Sequence, residues 1–507
     1  MRHFFKPTSY RQGATLAVGA TALWKIISFI NALLVAAYFG AGTATDLYFY
    51  IMMALGLATY FLQRLNAAVI IPEAMALDAQ LPNKGRKLLN GFLYLYLTLF
   101  VLALLMGVCC PVAVARSLSL FSMAQLTTQR SLIVWGIILF GLQVLMYYLT
   151  AILEMYRRFT AALFSPLNAL LPLICLWIWG RHWGIISLIY GFVAANILQI
   201  IVFFGVLKKE LNWQFTKGVL FPSRAFTRNL LSNQVMELVN IINGWLPLYL
   251  LSGLAAGLVS AVNYAKQLTE SATEVFALRV TNISKIELTE HLARKRADLF
   301  NKSYLSTHRL LCMILTPLSI FSIFYAPEIV TLFFKRGVFN AQNVHQTAAF
   351  LRPLLGVMLL MVPVLMQNNA VAAARKLKNF FPYALSSMLL FTAAVPLTMH
   401  LWGPFAFPYT QLVCILIGFV INSLFFKRYI PSLAIGRSFW ELIRLLACNL
   451  TALLPTALLT KYLNTTNPWI IVGAGGPVFL LILWGCLYYS GDWLWLTRHF
   501  KRRAPLP

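Results

Sequence analysis

Acid is what this sequence has least of. Only 14 Asp and Glu stand against 41 Lys and Arg in 507 residues, and charged residues of both signs make up 11%, far below the roughly 25% usual in soluble domains. So little charge excludes an ordinary water-soluble fold. Cysteine is sparse too. Cys109, Cys110, Cys175, Cys312, Cys414, Cys448 and Cys486 all lie in apolar runs, with no CxxC or Cys/His spacing, so buried thiols are expected rather than disulfides or metal ligands. The seven histidines are scattered and form no HExxH. No loop is long enough to hold a soluble domain.

In place of these, apolar runs of about twenty residues recur along the whole chain, each long enough as a helix to cross a hydrocarbon core roughly 30 Å thick. Spans are expected near 14–39, 47–71, 90–115, 132–155, 159–180, 183–206, 229–251, 258–284, 308–333, 346–367, 381–401, 404–426, 440–460 and 467–490, about 14 in all, the eighth being the least hydrophobic. The first run is too long, and too smoothly continued by a second, to read as a cleaved signal peptide.

With the N-terminus inside, 30 Lys and Arg fall in or beside cytoplasmic segments. Six (Arg116, Arg130, Arg181, Lys335, Arg336 and Lys461) fall in outer loops, and five (Lys25, Arg64, Lys266, Arg279 and Arg352) lie within spans. That asymmetry follows the positive-inside rule and places both termini in the cytoplasm. The net charge of +27 therefore punctuates membrane spans. Nucleic acid is not expected as a partner, whereas membrane lipids, notably anionic inner-leaflet lipids, are.

Two basic cytoplasmic loops, 207–228 and 285–307, divide the chain, and the first leaves six spans before it and eight after. The expected organisation is an all-α polytopic fold: an N-terminal lobe over 1–228, a C-terminal lobe over 229–426, and two further helices with a basic tail over 427–507. Laying 40–73 on 254–287 pairs Ala41 with Ala255, Tyr50 with Tyr264, Ala58 with Ala272, Thr59 with Thr273 and Glu73 with Glu287. Spans 1 and 7 both start inside, so the lobes would be parallel repeats related by a pseudo-two-fold axis, as in many secondary transporters.

Ionisable groups at bilayer depth cost about 2.5–3.5 kcal/mol each on insertion scales and usually face water or a partner. Lys25 sits in the middle of the first span, Arg64 near the inner end of the second, and Glu237 in the seventh. In the eighth, Lys266, Glu270 and Glu274 share one helix face, with Arg279 following. Two readings stay open. These groups line a charged, water-filled cleft, or they are structural pairs, Lys266 with Glu270 and Lys25 with Glu237. Asp46, at the start of the second span, is expected to cap that helix, where a carboxylate is favourable.

Three stretches, FGAGTATDLYFY (39–50), IIPEAMAL (70–77) and above all TLFFKRGVFNAQNVHQTAAFL (331–351), resemble the MviN/MurJ family of lipid-linked oligosaccharide flippases within the multidrug/oligosaccharidyl-lipid/polysaccharide exporter superfamily. The resemblance implies 14 helices in the bacterial inner membrane and a monomer that needs no cofactor. It also implies a lipid-linked anionic saccharide as substrate, and a lateral groove for its polyprenyl tail at spans 13 and 14. Coupling to Na+, H+ or the membrane potential stays open. Family arginines in helices 1, 2 and 8 meet the substrate's diphosphate. At the matching positions this chain has Lys25 and Asn31, then Thr59 with Arg64 further on, and Gln267 preceded by Lys266. Lysine holds phosphate as a point charge without the guanidinium fork, so the cavity is expected to stay cationic but less so.

The resulting expectation is an alternating-access flippase for an undecaprenyl-diphosphate-linked saccharide, lipid II or a related precursor, in which Lys25 and Lys266 hold the diphosphate from opposite lobes. A flippase for O-antigen or exopolysaccharide units is the alternative of the same fold. A cation-coupled multidrug exporter is kept open by Glu237, Glu270 and Glu274. A membrane glycosyltransferase is disfavoured, because the outer side offers only Asp46 and Glu328, without a DxD.

Overall fold

The computed structural model describes residues 10–81, 83–220, 224–274, 279–431, 433–463, 465 and 467–492, and among them there is no β-strand. The basic tail with Arg498, Lys501, Arg502 and Arg503 lies outside the described residues, as does the side chain of Arg279. By its contacts the chain divides into two compact units, 1–260 and 261–507.

The first unit begins with α1 (Tyr10–Phe39), α2 (Thr43–Leu65), α3 (Ile71–Gln80), α4 (Lys84–Cys109), α5 (Pro111–Leu118) and α6 (Met123–Thr128). It continues with α7 (Arg130–Met155), α8 (Leu167–Trp183), α9 (Ile186–Glu210) and α10 (Arg224–Ser252). Helix α11 (Leu258–Thr273) begins in this unit and continues in the second. There follow α12 (Arg279–Ala293), α13 (Ala297–Phe324), α14 (Ala326–Phe334), α15 (Ala341–Ala373), α16 (Leu377–Trp402), α17 (Ala406–Tyr429), α18 (Ile435–Tyr462) and α19 (Pro468–Tyr489).

Thirteen of these segments are long and apolar enough to cross a membrane, so this is a multi-pass membrane protein. These thirteen are counted among the described residues, and the eighth of the fourteen expected spans falls on a stretch that is only partly described. Of residues 258–284, those at 275–278 lie outside the described residues, and the described parts are α11, with 16 residues, and the beginning of α12. The segment NYAKQLTESAT carries the charges that make it a poor span.

FGAGTATD forms the link between α1 and α2. Gly40 takes φ +63°, the left-handed geometry that glycine supplies without strain, and its N–H closes α1 on the Ala36 carbonyl at 2.9 Å. The Thr45 hydroxyl then accepts from the Gly42 N–H at 2.7 Å and donates to the Gly42 carbonyl at 2.8 Å, which satisfies the first turn of α2. In IIPEAMAL, Pro72 lacks an N–H, and the helix absorbs this with a π turn at Asn66–Ile70 before α3. Buried Asn66 there accepts from the Tyr96 hydroxyl at 2.8 Å.

Each unit has its own apolar centre. In the first, Tyr96, Tyr148, Leu149, Ile152 and Phe203 are fully buried, and Tyr148 donates to the Leu89 carbonyl at 2.6 Å. In the second, Leu311, Leu315, Val362, Met366, Phe425 and Leu445 form the corresponding cluster. Some buried hydroxyls are satisfied within their own helix, as a bilayer without water favours: those of Thr59, Thr410 and Thr456 bond back to carbonyls one turn earlier.

Candidate substrate-binding residues

Asp46 does not cap its own helix. Its carboxylate, almost fully buried, accepts from the Gly257 N–H at 2.5 Å, and from the Ser260 N–H at 2.8 Å and hydroxyl at 2.6 Å. Those are donors of the first turn of α11, left without intrahelical partners. The expectation that Asp46 caps α2 is corrected accordingly: Thr45 and Gly42 already close that turn, and the carboxylate is free to cap a helix more than 200 residues on.

The same end of the first unit holds a second polar link. Tyr50 donates to the Leu118 carbonyl and accepts from the Trp245 indole N–H at 2.9 Å, and Ser252 accepts from the Leu120 N–H at 2.8 Å. These contacts join α2 and α10 to the turn after α5. Tyr50 was marked only as a member of the repeat and of the 39–50 stretch, and Trp245 not at all, since an aromatic in an apolar run looks like packing.

The expected site residues are placed as follows. Lys25 is half-buried midway along α1, its ammonium 4.8 Å from the centroid of the neighbouring Trp24 ring, a cation–π approach. Asn31 donates to the Ala169 carbonyl at 2.7 Å and so fastens α1 to α8. Arg64 bonds to the Tyr60 hydroxyl through Nε and Nη2 at 2.8 and 2.6 Å, and its Nε lies 4.0 Å from Glu237. Glu237 also accepts from Asn240 at 3.3 Å. The structure therefore pairs Glu237 with Arg64. With the Arg64 side chain 55% exposed, this pair contributes little stability.

On α11, Lys266 and Gln267 are half-buried and Glu270 is exposed one turn later, close enough to act on the lysine's charge. Glu274 is half-buried at the end of the described segment. The family-like loop explains how α11 is held. Phe334 and Phe339 pack their rings 5.0 and 5.4 Å from the ring of Tyr264, all three side chains being buried. Gly337 at φ +57° turns the loop, and Asn340 caps α15 by accepting from the Asn343 N–H at 3.0 Å. The most specific stretch of the resemblance is thus a clamp on the residue two positions before Lys266.

One ionic cluster was not foreseen. Fully buried Asp492, just beyond α19, pairs with Arg309 of α13 and, at 2.6 Å, with Arg444 of α18, while Ser490 donates to its other oxygen at 2.6 Å. Among the described residues no group of three or more His, Cys, Asp and Glu is placed to hold a metal ion.

The family model described as lipid II flippase MurJ matches residues 35–473. A probable lipid II flippase MurJ of Bdellovibrio bacteriovorus is 24% identical over 261 residues, covering 50% of this chain and 48% of that protein. One of Treponema pallidum is 23% identical over 172 residues, 33% of this chain and 32% of that protein. The chain thus spans about half or less of the curated relatives it matches. In fold it is similar to a solved lipid II flippase MurJ in an inward closed conformation, with a TM-score of 0.78 at 17% identity over 95% of this chain and 99% of that one. It is also similar to an inward-facing multidrug resistance transporter of the MATE family, with a TM-score of 0.61 at 13% identity over 81% and 98%. With its model matched over most of its length, the chain belongs to the MurJ family.

Proposed function

We propose that this protein is a flippase, a transporter rather than an enzyme, that carries an undecaprenyl-diphosphate-linked saccharide of the lipid II type across the bacterial inner membrane. The family match over residues 35–473 carries the reading. Half-buried Lys25 and Lys266, at bilayer depth on α1 and α11, support it, because a cation there is offset by an anionic ligand. Lys25 and Lys266 are assigned to the diphosphate, as are Gln267, next to Lys266 in the sequence, Arg64 at the end of α2 and Arg279 at the start of α12.

No covalent step is needed. Transport requires only that substrate binding differ between inward and outward states. Asp46, as the cap of α11, is assigned to conformational control, and Glu237, Glu270 and Glu274 to coupling with Na+, H+ or the membrane potential. The halves 1–228 and 229–426 act as repeated lobes, and the helices after 427 serve the lipid tail. Support for the repeat comes from α7 and α15, the fourth span of each half, which are equally and most deeply buried, at 61%. Both termini face the cytoplasm, the protein works as a monomer, and nucleic acid plays no part.

The test is replacement in a bacterium depleted of its own lipid II flippase. Restored growth and restored surface exposure of lipid II are expected. Failure there, with rescue of a strain lacking an O-antigen-unit flippase, would move the substrate to that class. Failure in both, with export of cationic drugs, would replace the reading altogether.

A further inference from the structure

Helix α15 spans the membrane with 33 residues, yet not one large apolar side chain on it is exposed. Its exposed residues are Ala341, Gln342, His345, Arg352 and Asn368. Its neighbour α17 shows the opposite pattern, exposing Tyr409, Val413, Leu416, Ile417, Val420 and Leu424. A face that meets acyl chains is built of such residues; the exposed face of α15 is not.

On a helical wheel at 100° per residue, Gln342, His345 and Arg352 fall within about 80° of one another, one continuous polar face. Arg352 lies six residues inside the span expected at 346–367, about 9 Å along the helix axis, within a core roughly 30 Å thick. Among the described residues it makes no ion pair. A bare guanidinium at that depth, on an exposed face without apolar side chains, has water or an anion beside it.

We propose that Arg352 is an anion-binding residue of the transport path, with His345 and Gln342 extending the same wet face toward the end of α15 where the helix begins. The anion is a phosphate group of the lipid-linked substrate, so the proposal rests on the function given above. Arg352 would supply the planar fork that binds two phosphate oxygens at once, which the lysines at family arginine positions do not.

The experiment replaces the seven native cysteines and introduces Arg352→Cys, with Val413→Cys on α17 as the lipid-facing control and Val338→Cys in the exposed loop as the aqueous one. Proteoliposomes are treated with a negatively charged, membrane-impermeant thiol reagent, with and without lipid II, and separately with added phosphatidylglycerol. Arg352→Cys is expected to react within roughly tenfold of the loop control and at least tenfold faster than Val413→Cys, since only ionised thiol in water reacts. Lipid II, and not phosphatidylglycerol, is expected to slow it. Reaction as slow as Val413→Cys would place the residue against lipid and overturn the proposal. Equal protection by both lipids would make the anion an ordinary headgroup, and no protection would remove substrate contact; either result overturns it as well.

In parallel, lipid II flipping by Arg352→Ala is expected to fall by about tenfold or more, with Arg352→Lys intermediate because charge returns without the fork, at unchanged thermal midpoint. Wild-type protein that does not flip lipid II defeats the functional reading, whereas wild-type flipping with an unaffected Arg352→Ala defeats only this inference.

Discussion

Helices α15 and α19 both qualify as spans and are similarly apolar, yet 61% of one is buried within the protein and 17% of the other. The large side chains that α19 leaves exposed are Trp469, Ile470, Leu480, Leu481, Trp484, Tyr488 and Tyr489, and it carries no charged residue. What α15 leaves exposed is, apart from Ala341, polar. Hydropathy therefore identifies a segment that crosses the bilayer, while the chemistry of the exposed residues identifies what that segment faces. A lipid-facing helix is held to its protein by few contacts, and α19 adds an ionic one at its end, where Asp492 joins Arg309 and Arg444.

The contrast can be broken first at that ionic tie. Asp492→Ala leaves two arginines facing each other without their carboxylate, and breaking a fully buried pair costs about 3–5 kcal/mol. Arg444 is 35% exposed, so the expected loss lies toward the low end, read as a lower thermal midpoint in detergent and as easier proteolysis after α18. An unchanged midpoint would show that α19 is held by its apolar contacts alone.

The second test places a charge on the lipid face. Leu481→Arg, at a position 70% exposed on α19, is expected to cost about 2.5–3.5 kcal/mol of insertion free energy and to reduce the amount of protein in the membrane. Ala349→Arg, on the Arg352 face of α15, is expected to leave that amount nearly unchanged. Equal losses would mean that both faces meet lipid. The smallest effect on stability belongs to Glu237→Gln, which removes the partner of the 55% exposed Arg64; a change of about 0.2–1 kcal/mol is expected, and a large loss of transport at that near-normal stability is the result its assignment to coupling predicts.

The spans were legible because each must be apolar over its own length, a local property. The clamp on Tyr264 and the cap at Asp46 were not. Asp46 was visible as an isolated carboxylate, but its partners lie 211 and 214 residues away, and no local pattern reports a contact at that distance. The tie of Arg309 to Asp492 spans 183 residues and joins two residues that each look like interfacial charges. Arg352 was counted within a span, but only the burial of its neighbours shows that its helix exposes no large apolar side chain. Asn31, read as a cavity residue by its family position, instead bonds a backbone carbonyl, which side-chain identity alone does not reveal.

The central claim is that cations at bilayer depth hold a lipid-linked diphosphate. The most direct measurement is flipping of fluorescent lipid II in proteoliposomes by the wild type and by Lys25→Ala, Lys266→Ala, the double variant and Lys25→Arg, each matched for thermal midpoint. Loss of transport by more than about a hundredfold in the double variant is predicted, with retention in Lys25→Arg, since a lost charge-assisted contact is worth a few kcal/mol. Wild-type rates from the double variant would contradict the account and leave both lysines as structural residues.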